Sequence, residues 1–450
     1  MKRSGWQWLA ASSLLIGAIA AGGETRPRYG GTLRIEMSAA PASLDPAEGN
    51  VPDSFGRRNI TALIFDTLVK FDDAARPEPV LADSWQAAGQ ELRLHLRRDV
   101  KFHDGSAMTP ESVAASLRLE NPAWKVTAEP ESVSIQNDLA EDGLLAELAL
   151  PRNAIVKRDS GKLNGTGPFR IVDWKAGERL SLAADENCWR GRPFLDAIEI
   201  EMGKSYRDQM TALQLGRADL VEIAAGQVRH TDQRSMASSK PIELIALWFA
   251  KGPSSPEENA LRSTLSLSVD RTAIRDVLLQ GTGETAGSIL PNWMSGYGFV
   301  FSAKADLVRA RQLRGQISPA PSWKIGYSPD DPLDRLLAER IALNARDAGL
   351  FLQTTSTPSA DLRIAHLPLE SGPWSSLGQI ADQIGAPLAK EHGSLEELYA
   401  AERTVLASGR IIPLLQLPVS YAAFAGLQNW AVRPDATLNL ENAWMESGAQ

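Results

Sequence analysis

Cysteine is nearly missing from this 450-residue sequence: Cys188 is the only one, which excludes an intrachain disulfide and a cysteine-built zinc site. Flanked by Asn187 and Trp189, it reads as a packing residue rather than a reactive thiol. Histidine is scarce as well, and the five at positions 95, 103, 230, 366 and 392 share no local metal-ligand spacing. Positive charge is in deficit, with 47 Lys and Arg against 55 Asp and Glu and a formal charge of −8. A general attraction to phosphate backbones or anionic lipid is therefore absent, and no nucleic-acid partner is expected. No G-x-S-x-G, G-x-x-x-x-G-K-[ST] or H-E-x-x-H pattern occurs, so an enzyme, a cofactor and a bound metal are not expected. Past the N-terminus no run is long and apolar enough to span a bilayer, since 411–427 is interrupted by Pro413 and Pro418.

The N-terminus itself carries a secretory signature. Lys2 and Arg3 precede an apolar stretch at 9–21 that ends in the small-x-small triplet Ala18-Ile19-Ala20, so residues 1–20 are expected to be a cleaved signal peptide. With no cysteine near that site, the mature protein is expected to be free and periplasmic, not a lipoprotein.

Beyond it the pattern alternates between strand and helix. Residues 32–37, 91–96 and 198–202 place apolar side chains on every second position, as half-buried strands do. Helices are announced by their caps: Thr109 before Pro110, Ser205 with Asp208, Ser255 before Pro256, Asp270, Asp331 before Pro332, and Ser394 with Glu397. The run 133–150 reads as two strands about the turn Glu141-Asp142-Gly143, and Ile274, Val277 and Leu278 as one buried helix face. Asn164-Gly165-Thr166-Gly167-Pro168 cannot continue a helix; its glycines permit unusual backbone angles, and it opens onto two strands at 169–174 and 179–182. The balance is a mixed α/β chain.

The ordered set of Gly30-Gly31-Thr32-Leu33-Arg34, Ser43-Leu44-Asp45-Pro46, Leu81-Ala82-Asp83-Ser84-Trp85, Val100-Lys101-Phe102-His103-Asp104-Gly105, the 164–196 stretch, Leu213-Gln214-Leu215-Gly216-Arg217-Ala218-Asp219 and Val269-Asp270-Arg271 resembles the extracytoplasmic solute-binding proteins of the oligopeptide, dipeptide and nickel family that serve ABC importers. The resemblance implies the two-lobed periplasmic-binding-protein fold of class II, in its three-domain oligopeptide-binding form, closing about a hinge. It would divide the chain into a discontinuous first domain (29–54, 164–252 and 430–450), an inserted second domain (55–163) and a third domain forming the other lobe (253–429). A small-molecule or short-peptide ligand, ABC permease subunits as partners and a monomeric state follow from the same resemblance. The rival expectation is a degenerate member that encloses no ligand and acts as a sensor or interaction protein.

The departures from the family pattern bear on the ligand. Peptide-binding members place an aspartate in the third domain where Leu369 stands here, with Glu370 adjacent but expected on the opposite strand face. Some dipeptide binders carry an arginine where this chain has Ser328-Pro329-Asp330-Asp331. His366 is a candidate contact because nickel-binding relatives use a histidine in this lobe. Twelve tryptophans against six tyrosines supply large flat surfaces. Trp85, Trp174, Trp189 and Trp444 are expected in the core, and Trp248, Trp293, Tyr297 and Trp374 in the cleft. The candidate ligand-binding set is thus Trp248, Trp293, Tyr297, Asp330, His366, Leu369, Glu370 and Trp374.

Overall fold

The computed structural model describes residues 26–48, 54–72, 76–139, 141–227, 235–318, 322–329, 331–389 and 392–446. The expected signal peptide, His230 and Asp330 lie outside the described residues. An eleven-stranded mixed sheet forms the spine. Its order runs Phe169–Lys175, Arg179–Ala184, Ala197–Glu201, Thr32–Glu36, Leu220–Ile223, Ile411–Ala423, Ser235–Phe249, Leu362–Pro368, Ser322–Gly326 and Phe351–Thr355, with Glu284–Thr285 added on Ile411–Ala423. The Thr32–Glu36 strand lies parallel to both Ala197–Glu201 and Leu220–Ile223, so the helix Tyr206–Gln214 between the latter two completes a parallel crossover. A separate four-stranded antiparallel sheet, ordered Ala82–Ala88, Glu91–Leu96, Ser132–Gln136 and Lys125–Ala128, packs under the helix Pro110–Glu120.

Burial separates into distinct cores. One gathers Leu33, Ile35, Ile64, Phe169, Leu182 and Ile198. A second, around Leu94, Phe102, Val113, Leu117 and Ile135, belongs to the four-stranded sheet. Two more lie on the faces of the far half of the large sheet, one under the helix Pro332–Asp347 with Leu337 and Ile341, the other under Pro373–Gln383 with Leu377 and Ile380. Among the described residues, Ser235–Phe249 and Ile411–Ala423 are the longest strands, and together they run from the first core to the last two. Ser235–Ser238 pairs with 420–423 on one side, and 243–248 pairs with 411–417 on the other. Between these blocks Pro241 faces Pro418, with register shifts on both sides of Pro241. Two prolines at one register cannot donate to the ladder, so the pairing is interrupted between the two blocks.

Most capping expectations are met. Thr109 and Ser394 form full capping boxes with Ser112 and Glu397, and Ser205, Ser255, Asp270 and Asp331 each accept a first-turn amide. Two expectations are overturned. After the strand Ser132–Gln136 the chain forms the helix Glu141–Leu148, not a second strand. Leu144, Leu145 and Leu148 share its buried face, and Glu141 and Asp142 sit in its first turn, where acids favour a helix start. At Ile274–Leu278 the chain widens into a π-helical turn, which rotates Val277 outward to 70% exposure while Ile274 stays buried.

The 164–168 turn also works differently from expectation. Neither Gly165 nor Gly167 has a positive φ. What both need is proximity: a Cβ at Gly165 would overlap the Ile64 carbonyl oxygen, and one at Gly167 would stand 2.7 Å from the Ile64 carbonyl carbon. The turn lies flush on the end of the helix Phe55–Ile64, held by Gly167 N–H to Ile64 O at 3.0 Å and His103 N–H to Gly165 O at 2.9 Å. His103 is thereby structural, its Nε2 2.9 Å from Gly167 O, and burial pushes its pKa down.

Candidate functional site

A cavity of about 2100 Å³ opens between the first, second and fourth cores. One wall is built by the first turns of Phe55–Ile64 (Arg57, Arg58) and by Asp66, Trp189 and Arg190. The second core contributes Trp124, Glu147 and Arg152, and the opposite body contributes Lys240, Trp293, Glu370 and Trp374.

Charge pairing crosses this space. Arg152 follows the helix Glu141–Leu148 and reaches Glu147 at 2.6 Å on its own side and Glu370 on the other. Burial works against its charge, but the two carboxylates outweigh it and the guanidinium pKa rises. Glu370 is nearly buried, its amide donates to Ser376 Oγ at 2.9 Å, and its Oε2 has no hydrogen-bond partner among the described residues. A second crossing is made by Arg58, whose guanidinium donates to the Leu369 carbonyl oxygen. On the first wall Asp66 accepts from Thr166 Oγ1 (2.8 Å), Trp189 Nε1 (3.1 Å) and Arg190 (2.9 Å), and Arg190 also meets Glu441 at 2.9 Å. The Trp189 ring lies between Arg97 and Arg190, 5.1 and 5.0 Å from its centroid.

The structure redistributes the residues singled out from sequence. Trp293, Glu370 and Trp374 line the cavity. Trp293 Nε1 donates to Pro241 O at 2.7 Å under Lys240, and Trp374 Nε1 to Gly393 O at 3.1 Å. Glu370 reaches the cavity because its strand, Leu362–Pro368, ends two residues earlier and alternation no longer applies. Leu369 is fully buried and presents only its carbonyl, to Arg58. Trp248 and Tyr297 do not line the cavity: Trp248 packs half-buried against the fourth core, and Tyr297 is buried within it, edge-on to Tyr399 and Phe301. Burial pushes the Tyr297 phenol up, with Glu402 adding to the shift.

His366 does not line it either. It lies mid-strand between Glu243 and Asp334, and although burial opposes protonation these carboxylates hold its pKa well above the usual value. Asp331 likewise stays out of the cavity, at the cap of Pro332–Asp347. Of the tryptophans expected in the core only Trp444 is fully buried; Trp85 and Trp174 are half-buried and Trp189 faces the cavity.

Sequence reasoning missed Arg58, Asp66, Arg152 and Trp189. Arg152 and Glu370 are 218 positions apart, and no local periodicity marks either as a cavity residue.

Comparison with known proteins agrees with this architecture. The profile described as "Bacterial extracellular solute-binding proteins, family 5 Middle" matches residues 76–366. The chain is 26% identical over 278 residues to the nickel-binding protein NikA of Staphylococcus aureus, covering 58% of this chain and 55% of that protein. It is 24% identical over 284 residues to the peptide transport periplasmic protein SapA of Salmonella typhimurium, covering 52% of each. These alignments span about half the length of the curated relatives. The fold superposes on the Bacillus subtilis oligopeptide-binding protein AppA in complex with a nonapeptide, at TM-score 0.76 and 15% identity over 94% of this chain and 100% of the other. It superposes equally on S. aureus NikA in complex with Ni(L-His)2, at TM-score 0.75 and 18% identity over 92% and 100%. Sequence match, sheet order and interlobe cavity agree: the chain belongs to the bacterial extracellular solute-binding proteins of family 5.

Proposed function

We propose that this chain is the solute-capturing component of an ABC importer, taking a peptide-like or other small solute into the cavity between its lobes and presenting it to a membrane permease. The observation that carries this reading is the cavity bounded by separately cored bodies, tied by Arg152–Glu370 and crossed by two strands with facing prolines. Such a pair of bodies moves by rotation at the interrupted register, and a ligand that contacts both walls shifts the population toward the closed form. The lobes are assigned as 29–54, 164–252 and 430–450 with the inserted 55–163, against 253–429, and the bend is placed at Pro241 and Pro418, about eleven residues ahead of each of those boundaries, so that 242–252 moves with the second lobe. Delivery to the periplasm through residues 1–20, without a lipid anchor and as a monomer, belongs to the same reading. No chemistry is performed on the solute. Among the described residues no helix is long and apolar enough to cross a membrane.

The cavity exceeds the roughly 300–1,000 Å³ of sites for drug-sized ligands, which leaves room for a short peptide or a chelate with its water. The test is titration calorimetry against di- to nonapeptides and metal–histidine complexes, paired with small-angle scattering. Binding accompanied by compaction is the expected result; a ligand that binds without compaction, or no binding across the panel, would sink the mechanism.

A further inference from the structure

Away from the cavity, three side chains aim one atom each at a common point. Asp331 and Asp334 stand at the N-cap and third position of the helix Pro332–Asp347, and His366 faces them from the strand Leu362–Pro368. Asp331 Oδ1 is taken by the Leu333 amide at 2.8 Å, and Asp334 Oδ2 by the Ser328 amide at 3.1 Å. Each carboxylate is thus anchored by one oxygen and leaves the other directed at His366 Nε2, Asp334 Oδ1 at 2.8 Å and Asp331 Oδ2 at 3.9 Å. The opposite ring nitrogen, Nδ1, lies 3.0 Å from Glu243 Oε1 on the neighbouring strand. The candidate donor atoms lie within 4.8 Å of one another, and Asp331 and His366 are only half-buried, so the point is reachable from solvent.

This is more than a run of acids. One imidazole nitrogen and two carboxylate oxygens form a mixed donor set of the kind that zinc and its neighbours prefer, whereas magnesium and calcium favour all-oxygen shells. Glu243 does for His366 what an outer carboxylate does for a metal-bound histidine: it holds the Nδ1 proton and turns Nε2 inward. Both ring nitrogens of His366 meet carboxylates, Nδ1 at Glu243 and Nε2 at Asp334.

We propose that Asp331, Asp334 and His366 form a binding site for one divalent transition-metal ion, zinc being the probe, with Glu243 as the orienting partner. On binding, the ion takes the place of the Nε2 proton, which leaves to solvent, while Nδ1–H stays with Glu243. None of the three ligands lines the large cavity, so the site is separate from solute capture and does not rest on that reading.

The test uses tag-free, chelator-stripped protein titrated with ZnCl2 by calorimetry and with Co2+ by visible absorption. Expected are one ion per chain, a Co2+ spectrum of oxygen and nitrogen ligation, and at least tenfold weaker binding in His366→Gln and in Asp331→Asn. Asn retains an N-cap oxygen, so Asp331→Asn separates loss of a ligand from loss of the helix start, and unchanged circular dichroism and melting verify this. His95→Gln, on the four-stranded sheet, should bind like the parent. Absence of uptake at millimolar zinc, or uptake that either Asp331→Asn or His366→Gln leaves unchanged, overturns the proposal.

Discussion

The Arg152–Glu370 pair should set the resting balance between open and closed forms. Both groups meet water when the bodies part, so their interaction acts on the closed form alone. Removing one partner of a fully buried pair costs roughly 3–5 kcal/mol, whereas a solvent-exposed pair contributes about 0–1 kcal/mol. Here the Glu370 side chain is 11% exposed and that of Arg152 35%, and Arg152 keeps Glu147 whatever happens to Glu370. The discounted figure for Arg152→Ala is about 1–2 kcal/mol, a factor of roughly 5–30 in the equilibrium. Glu370→Gln should cost less, because Arg152 retains a carboxylate. The double variant should recover part of the loss, since the nearly buried Glu370 charge is no longer stranded. Scattering without ligand reads the opening, and calorimetry with a ligand identified from the panel reads the affinity. If Arg152→Ala scatters and binds like the parent, or if the two single effects simply add, the pair does not couple the bodies and the reasoning fails.

Other outcomes follow from local geometry. Thr109→Ala removes the capping-box acceptor of Pro110–Glu120 and should lower stability by about 1 kcal/mol, read as a shift in urea midpoint at constant slope. Gly165→Ala drives a Cβ into the Ile64 carbonyl, and a loss above about 4 kcal/mol is expected, seen as insolubility or a collapsed melting temperature. Asp104, beside Lys157 at 2.5 Å and accepting from Ser106, has its pKa held down to about 2, the pairing outweighing partial burial. A depressed carboxylate stabilises above its unfolded pKa of about 3.9 and loses that contribution as pH falls toward 2. Lys157→Met should therefore flatten the stability profile between those limits, and an unchanged acid limb would contradict the assignment.

What the sequence made legible was local. Caps, alternation and turn chemistry act within a few residues, so Thr109, Ser394, the strand 91–96 and the break at 164–168 could be read directly. The ordered motifs then placed them in a two-lobed frame. Misreadings came where tertiary context decided. Gly143 disguised the helix Glu141–Leu148 as a turn, and the π turn at Ile274–Leu278 moved Val277 off the face its spacing assigned. The candidate site was the least legible part, because its walls come from helix starts and connections far apart in the chain. His366 was expected at the cavity, and nothing near it in sequence signals Glu243, 123 positions away on the adjacent strand.

The arrangement of charge constrains what the cavity can accept. Arg152 is held by Glu147 and Glu370, Arg190 by Asp66 and Glu441, and a guanidinium nitrogen of Arg58 by the Leu369 carbonyl. A ligand carboxylate that approached one of these three would exchange one partner for another at little net gain, whereas Lys240, which also lines the cavity, is held over the Trp293 ring. Glu370 Oε2 accepts from no protein donor among the described residues, but it is buried, so a ligand N–H would reach it only after the Glu370 side chain turned toward the cavity. A solute donor that reached it would act on the closed form at the point where Arg152 already ties the two bodies. On the proposed reading, a solute carrying such a donor should bind with more compaction than a purely anionic one, and calorimetry paired with scattering would tell the two apart.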